Sequence, residues 1–234
     1  MIFDPIVFFY QKFGYKPEDI ARLSIGTNYV GIMLKNGQIG VAATLKNPIP
    51  ENIDAFLEPK FDVFFHRVVL VAYYNALLNY NNTYDYEADI FQELKFENYK
   101  NLVMVGLFET LYANLSNAGI SVNVFDADKI DKRTQAMKDQ EEIMKQADAA
   151  IITSTSIING SFKQLLNYVP KTCDVFLLGP SGTLSVELFA LANIRFIFGS
   201  VFDLYDTQVL DAIEAGAGTK GFLPYLHKVF IKNC

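Results

Sequence analysis

The chain has no tryptophan and, among 234 residues, only two cysteines and two histidines. A disulfide framework is therefore excluded, and Cys173 and Cys234 read as a buried thiol and a chain end. His66 and His227 lie far apart, and no Cys or carboxylate spacing around either matches a zinc or iron site, so no metal ligand set is assigned. Charge is sparse as well, at 20% of residues, and the balance is acidic, with net charge −6 and pI near 5.0. No basic footprint for nucleic acid or anionic lipid exists. The longest apolar stretch, residues 68–78, is broken by Asn75 and falls far short of the ~20 residues a membrane helix needs. Met1-Ile2-Phe3-Asp4-Pro5 lacks the cationic start of a secretory signal, so the Asn-x-Ser/Thr matches at Asn81, Asn114 and Asn159 are read as chance and the chain is placed in the cytoplasm.

What is present is apolar bulk: 51% hydrophobic residues, with 20 Phe and 13 Tyr. Disorder is ruled out, and the length suits two units, residues 1–98 and 99–234. In the first, residues 24–34 alternate as a strand. Asn36-Gly37 suits a two-residue hairpin turn, and residues 39–45 return. A short helix is expected over 52–57, a helix buried all round over 64–79, and another short one over 87–94.

From Asn101 onward, short apolar runs alternate with amphipathic stretches, the pattern of βαβ units and a parallel sheet covered on both faces. Strands are expected at 102–106, 122–126, 149–153, 175–179 and 195–198. Helices are expected at 111–118, 138–146, 162–167, 185–192 and 207–214. The fold class is α/β, a small α+β unit followed by a doubly wound, Rossmann-like sheet.

In such a sheet, ligands bind beyond the carboxyl ends of the strands. Those ends carry Gly106-Leu107-Phe108-Glu109, Asp126-Ala127-Asp128, Thr153-Ser154-Thr155-Ser156, Gly179-Pro180-Ser181-Gly182-Thr183 and Gly199-Ser200. Singly, each reads as turn or cap chemistry; together they suggest a site. Gly106 and Asp126 mimic the spacing of a dinucleotide fingerprint, but its further glycines are missing, which argues against ordinary NAD binding. Phe108 could stack a planar ring or simply join the core. The 179–183 loop could present hydroxyls to a carboxylate, phosphate or ring carbonyl, or be a rigid helix-capping turn. Asn159 could cap a helix or face a ligand. Glu109 and Asp126 are the candidate proton-transfer groups. No Gly-x-Ser-x-Gly elbow or Walker-type phosphate loop occurs.

Leu178-Gly179-Pro180-Ser181 with Leu184-Ser185, Ile152-Thr153-Ser154-Thr155 with Ile158-Asn159-Gly160-Ser161, Gly26-Thr27-Asn28, Gly40-Val41-Ala42 and Asn75-Ala76-Leu77 together resemble the prokaryotic family described as putative heavy-metal chelation. The resemblance spans nearly the whole chain. It implies an N-terminal domain similar to the enolase N-terminal fold, then a Rossmann-like domain. It also implies a ligand site between them, lined by Gly106, Leu107, Phe108, Asp126, Ser154, Asn159, Gly179, Pro180 and Ser181, with Asn75 facing it. Family members carry Thr-Pro where Gly182-Thr183 stands here, which loosens the loop.

Two functions follow as expectations. One is a binding protein for a small anionic or heterocyclic molecule, such as a metal chelate. The other is an enzyme acting on a pterin- or flavin-like heterocycle through Glu109 or Asp126. The cofactor is unassigned, and a homodimer would suit so aromatic a chain.

Overall fold

The computed structural model describes residues 3–50, 56–84, 89–129 and 131–233. Its first element is α1 (Pro5–Phe13), which the sequence reading did not anticipate. The Asp4 carboxylate caps it, accepting the Ile6 N–H at 2.9 Å, with Pro5 at the first helical position. The stretch expected as one strand over 24–34 is instead two, β1 (Ile20–Ile25) and β2 (Tyr29–Leu34), because the chain reverses at Gly26-Thr27-Asn28, where the Gly26 N–H donates to Tyr29 O.

The next hairpin joins β2 to β3 (Ile39–Ala43), antiparallel as expected. Its turn is longer by a residue than the Asn-Gly pair suggested. Leu34 N–H donates to Gln38 O and Gly37 N–H to Leu34 O, enclosing Lys35-Asn36-Gly37, with Gly37 at φ +87°. This is a type I turn closed by a glycine in the left-handed region.

α2 (Phe64–Leu78) is buried nearly all round, as its mainly apolar sequence favours. It lies on β2 and β3 at very close range: a Cβ on Gly40 would stand 2.2 Å from both Ala72 O and Ala76 N. The expected helix over 52–57 falls mostly outside the described residues, and of 87–94 the described part contains α3 (Ile90–Glu93).

The second sheet contains β4 (Leu102–Val105), β5 (Val122–Phe125), β6 (Ala149–Thr153), β7 (Asp174–Leu178), β8 (Ile194–Val201) and β9 (His227–Lys232), in the order β5-β4-β6-β7-β8-β9. β4 to β8 run parallel. β9, not foreseen, pairs antiparallel with β8. Between these strands come α4 (Glu109–Asn117), α5 (Gln140–Met144), α6 (Thr155–Ile158) and α7 (Phe162–Tyr168), and after β8 come α8 (Thr207–Glu214) and α9 (Thr219–Phe222). The stretch expected as helix 185–192 is a 3-10 turn, Val186–Ala190.

Alternate strand residues feed two apolar clusters. Val103, Ala150, Ile152, Val175 and Leu177 join α2, α5 and α7; Leu102, Met104, Ala149, Ile151 and Phe176 join α3 and α4. Both faces are thus covered, which is why these strands read as continuous apolar runs. α8 turns back onto the small sheet, where Val209, Leu210 and Ile213 pack with Tyr29, Ile39 and Val41. The small sheet therefore lies between α2 and α8. Among the described residues, no helix is long and apolar enough to cross a membrane.

Candidate functional site

From β4 the chain passes outward to β5, whereas from β6 it passes the other way to β7 and β8. The crevice between the carboxyl ends of β4 and β6 is thus the topological switch point, where open α/β sheets receive ligands. Here it forms a cleft of about 720 Å³. Its sheet side carries Gly106, Leu107, Phe108, Asp126, Thr153 and Thr155, with Asn159, Ser161, Gln140 and Gln164 from the following segments. Asn28, Tyr29, Ala43, Leu45 and Lys46 face it from the small sheet.

Five expected residues therefore meet in this cleft: Gly106, Leu107, Phe108, Asp126 and Asn159. Asp126 is held by backbone donors. Its Oδ2 accepts the Leu107 N–H at 2.8 Å, and Oδ1 accepts the N–H groups of Asp128 and Lys129, each at 3.0 Å. The carboxylate thereby fixes the ends of β4 and β5 together. Asn159 Oδ1 accepts both the Ser161 N–H and its hydroxyl, forming a turn ahead of α7.

Glu109, Gly179 and Pro180 line a different, smaller hollow of about 300 Å³, and Phe108 borders both. Glu109 begins α4 and is exposed, with Lys129 Nζ at 3.9 Å and Arg133 Nη2 at 3.8 Å from its Oε1. Arg133 also grips Asp131, holding that carboxyl down at about 2.

Three expected lining residues sit elsewhere. Asn75, Ser154 and Ser181 are buried and line neither hollow. Asn75 Nδ2 donates to Val41 O, and its Oδ1 accepts the Thr183 hydroxyl at 2.5 Å. One turn on, Asn79 donates to Gly182 O and Ser200 O and accepts the Leu184 N–H. Ser181 Oγ accepts the Ala43 N–H at 2.9 Å. The 179–184 loop is consequently a seam between the two sheets: its polar groups satisfy the backbone of β3 and the side chains of α2. Buried backbone groups demand such partners. Ser154 Oγ is fully buried, with no partner among the described residues.

Two further features escaped the sequence reading, one in the core and one at the rim of the cleft. Arg67, buried in α2, donates to the Ile157 and Ile158 carbonyls at the end of α6, to Phe61 O and to the Asp4 carboxylate. Leu45 and Lys46 stand at φ +50° and +59°, in a turn closed by the Asn47 N–H on Thr44 O. Two side-chain-bearing residues in that region are strained, and this turn forms the rim of the cleft. No local sequence signal marks Leu-Lys for it, since glycine and asparagine are the usual occupants.

Among the described residues, no group of three or more His, Cys, Asp or Glu is placed to hold a metal ion. Cys173 is buried, and burial pushes its thiol up to about 12, away from the thiolate that binds soft metals.

Residues 89–232 match the sequence profile of DUF364, and residues 10–78 that of DUF4213, both described as putative heavy-metal chelation. No curated protein matches the chain. Among solved structures, a protein of unknown function from the DUF364 family of Pyrococcus horikoshii superposes with a TM-score of 0.79 at 21% identity, over 92% of this chain and 94% of that one. A DUF364 protein of unknown function from Desulfitobacterium hafniense DCB-2 gives 0.78 at 18% identity, over 99% of this chain and 100% of that one. At such identities the likeness shows the fold.

Proposed function

The chain belongs to the putative heavy-metal chelation family, and from that premise we propose that it binds a small anionic or heterocyclic ligand in the cleft between its two sheets. The observation that carries this reading is the position of the cleft. It lies at the switch point of the parallel sheet and is roofed by a separate sheet. At about 720 Å³ it lies within the range of small-molecule sites.

Its rim mixes amides and hydroxyls, such as Asn28, Thr153, Thr155, Asn159 and Gln164, with Lys46 and Lys129. That set suits an oxygen-rich molecule read by hydrogen bonds. The described residues do not fit a directly ligated ion. A heavy metal, in this reading, enters as an organic chelate whose own atoms hold it. The proton-transfer reading is less well supported, because the Asp126 carboxylate is engaged by three backbone donors and Glu109 is exposed.

Native mass spectrometry of protein purified without added ligand tests the proposal. A retained small molecule of defined mass is expected. Protein of bare mass, together with no heat on titration of metal chelates, pterins, flavins or nucleotides, would overturn it.

A further inference from the structure

The smaller hollow adjoins the cleft across Phe108 and Thr219, which border both, yet its chemistry differs. Its walls are apolar: Ile90 and Leu111 from α3 and α4, Leu178 and Phe198 from β7 and β8, and Leu226 and Val229 at β9. Part of its floor is bare backbone. Gly179 stands at φ +135°, and a Cβ there would meet nothing within 4 Å, so the chain faces open space.

Three of the polar groups around it are engaged within the protein. The Ser200 hydroxyl donates to Pro180 O, Thr219 Oγ1 is bonded to Tyr29 OH, and Asp89 Oδ1 accepts the Phe91 N–H. Of its charged residues, Asp89 and Glu109 stand against Lys228, so an anion is disfavoured, and Glu109 and Lys228 are exposed at the rim, which leaves the apolar walls to select an uncharged guest. About 300 Å³ is at the small end of ligand pockets, and two phenylalanines border it, offering ring faces and edges.

We propose that this hollow is a second binding site, which takes an uncharged aromatic group of one or two fused rings. It stands apart from the cleft: a cleft that binds nothing would leave this site intact.

Indole serves as the probe, followed through backbone amide shifts in the nuclear magnetic resonance spectrum of the whole chain. Saturable shifts should cluster at Leu178, Gly179, Phe198, Gly199 and Val229. Asn114→Trp, on the half-exposed side of α4, should fill the hollow and weaken indole binding at least tenfold; Leu226→Trp does the same from the opposite wall should the first variant misfold. The proposal is overturned if no saturable shift occurs, if the shifts are confined to Gly106, Asp126 and Asn159, or if a folded filling variant binds indole within twofold of the wild type.

Discussion

Asn75 and Thr183, 108 positions apart in sequence, share a hydrogen bond of 2.5 Å inside the molecule, where both are almost fully buried. The same asparagine donates to Val41 O, so one side chain ties α2 to β3 and to the loop after β7. The cleft therefore has a fixed roof: the small sheet cannot slide over the parallel sheet without breaking this tie and the matching one at Asn79.

Thr183→Val keeps the shape but leaves Asn75 Oδ1 without its donor, a buried acceptor stripped of its partner. It should cost roughly 1–3 kcal/mol in urea unfolding. Asn75→Ala orphans groups on both sides and should cost more. In a double-mutant cycle the two changes should couple by about 0.5–3 kcal/mol, and strict additivity would show that the bond contributes nothing.

Arg67 donates to three carbonyls and to the Asp4 carboxylate, and its own side chain is buried with Asp4 beside it at 2.7 Å. Arg67→Met removes the donor to the Ile157 and Ile158 carbonyls and leaves Asp4 unpaired. The Asp4 side chain is one-third exposed and regains water, so the cost comes chiefly from the carbonyls left without a donor, roughly 1–3 kcal/mol for each. Most of the loss should persist between low and high salt, since the buried bonds go to uncharged carbonyls, and thermal melts at two ionic strengths check both statements.

Alkaline pH should weaken the fold. Burial, with Asp174 and Asp148 adding to it, lifts the Cys173 thiol from 9.0 to about 12. A group whose folded value is raised stabilises fully below its unfolded value and loses that contribution as pH climbs toward the folded one. The window is therefore pH 9 to 12, in which this thiol alone contributes a slope of about 1.4 kcal/mol per pH unit. Tyr15, also raised to about 12 by burial, acts in the same direction from pH 10. Urea midpoints between pH 8 and 11 should fall less steeply for Cys173→Ala, and parallel curves would refute the assignment.

How far the sequence disclosed this architecture depends on the range of the forces involved. Strands such as β6 were legible because both faces are buried and the run Ala149–Thr153 is apolar with turn residues after it. β9 was not, because an edge strand reading His-Lys-Val-Phe-Ile-Lys exposes its charged residues and mixes the two periods. α1 carried its signals, Asp4 and Pro5 before an apolar stretch and Gly14 after it, but they lie in a segment rich in aromatics. At the cleft, Gly106 and Asp126 were readable from their spacing at the strand ends. Asn75 and Ser181 were ambiguous for a physical reason: a polar residue at a strand end or on a buried helix can serve a ligand or a distant backbone group, and only the tertiary contact with Val41 or Ala43 decides which. Arg67 and the strained Leu45-Lys46 turn depend wholly on long-range packing and leave no local pattern.

That turn provides a test in which stability and binding should move in opposite directions. Leu45 and Lys46 both occupy the left-handed region at the rim of the cleft, a conformation costing roughly 1–2 kcal/mol for each side-chain-bearing residue. Lys46→Gly relieves one residue of that strain and should leave the Thr44–Asn47 turn in place, because its closing bond is backbone to backbone. Thermal unfolding should shift upward, while retention of the cleft ligand in native mass spectra should fall, since the Lys46 ammonium on the roof is lost opposite Lys129 on the floor. A variant that is stabilised and retains the ligand fully would place Lys46 outside the binding site. A destabilised variant would show that the lysine stem contributes packing that outweighs the strain, and either result separates the two contributions at this one position.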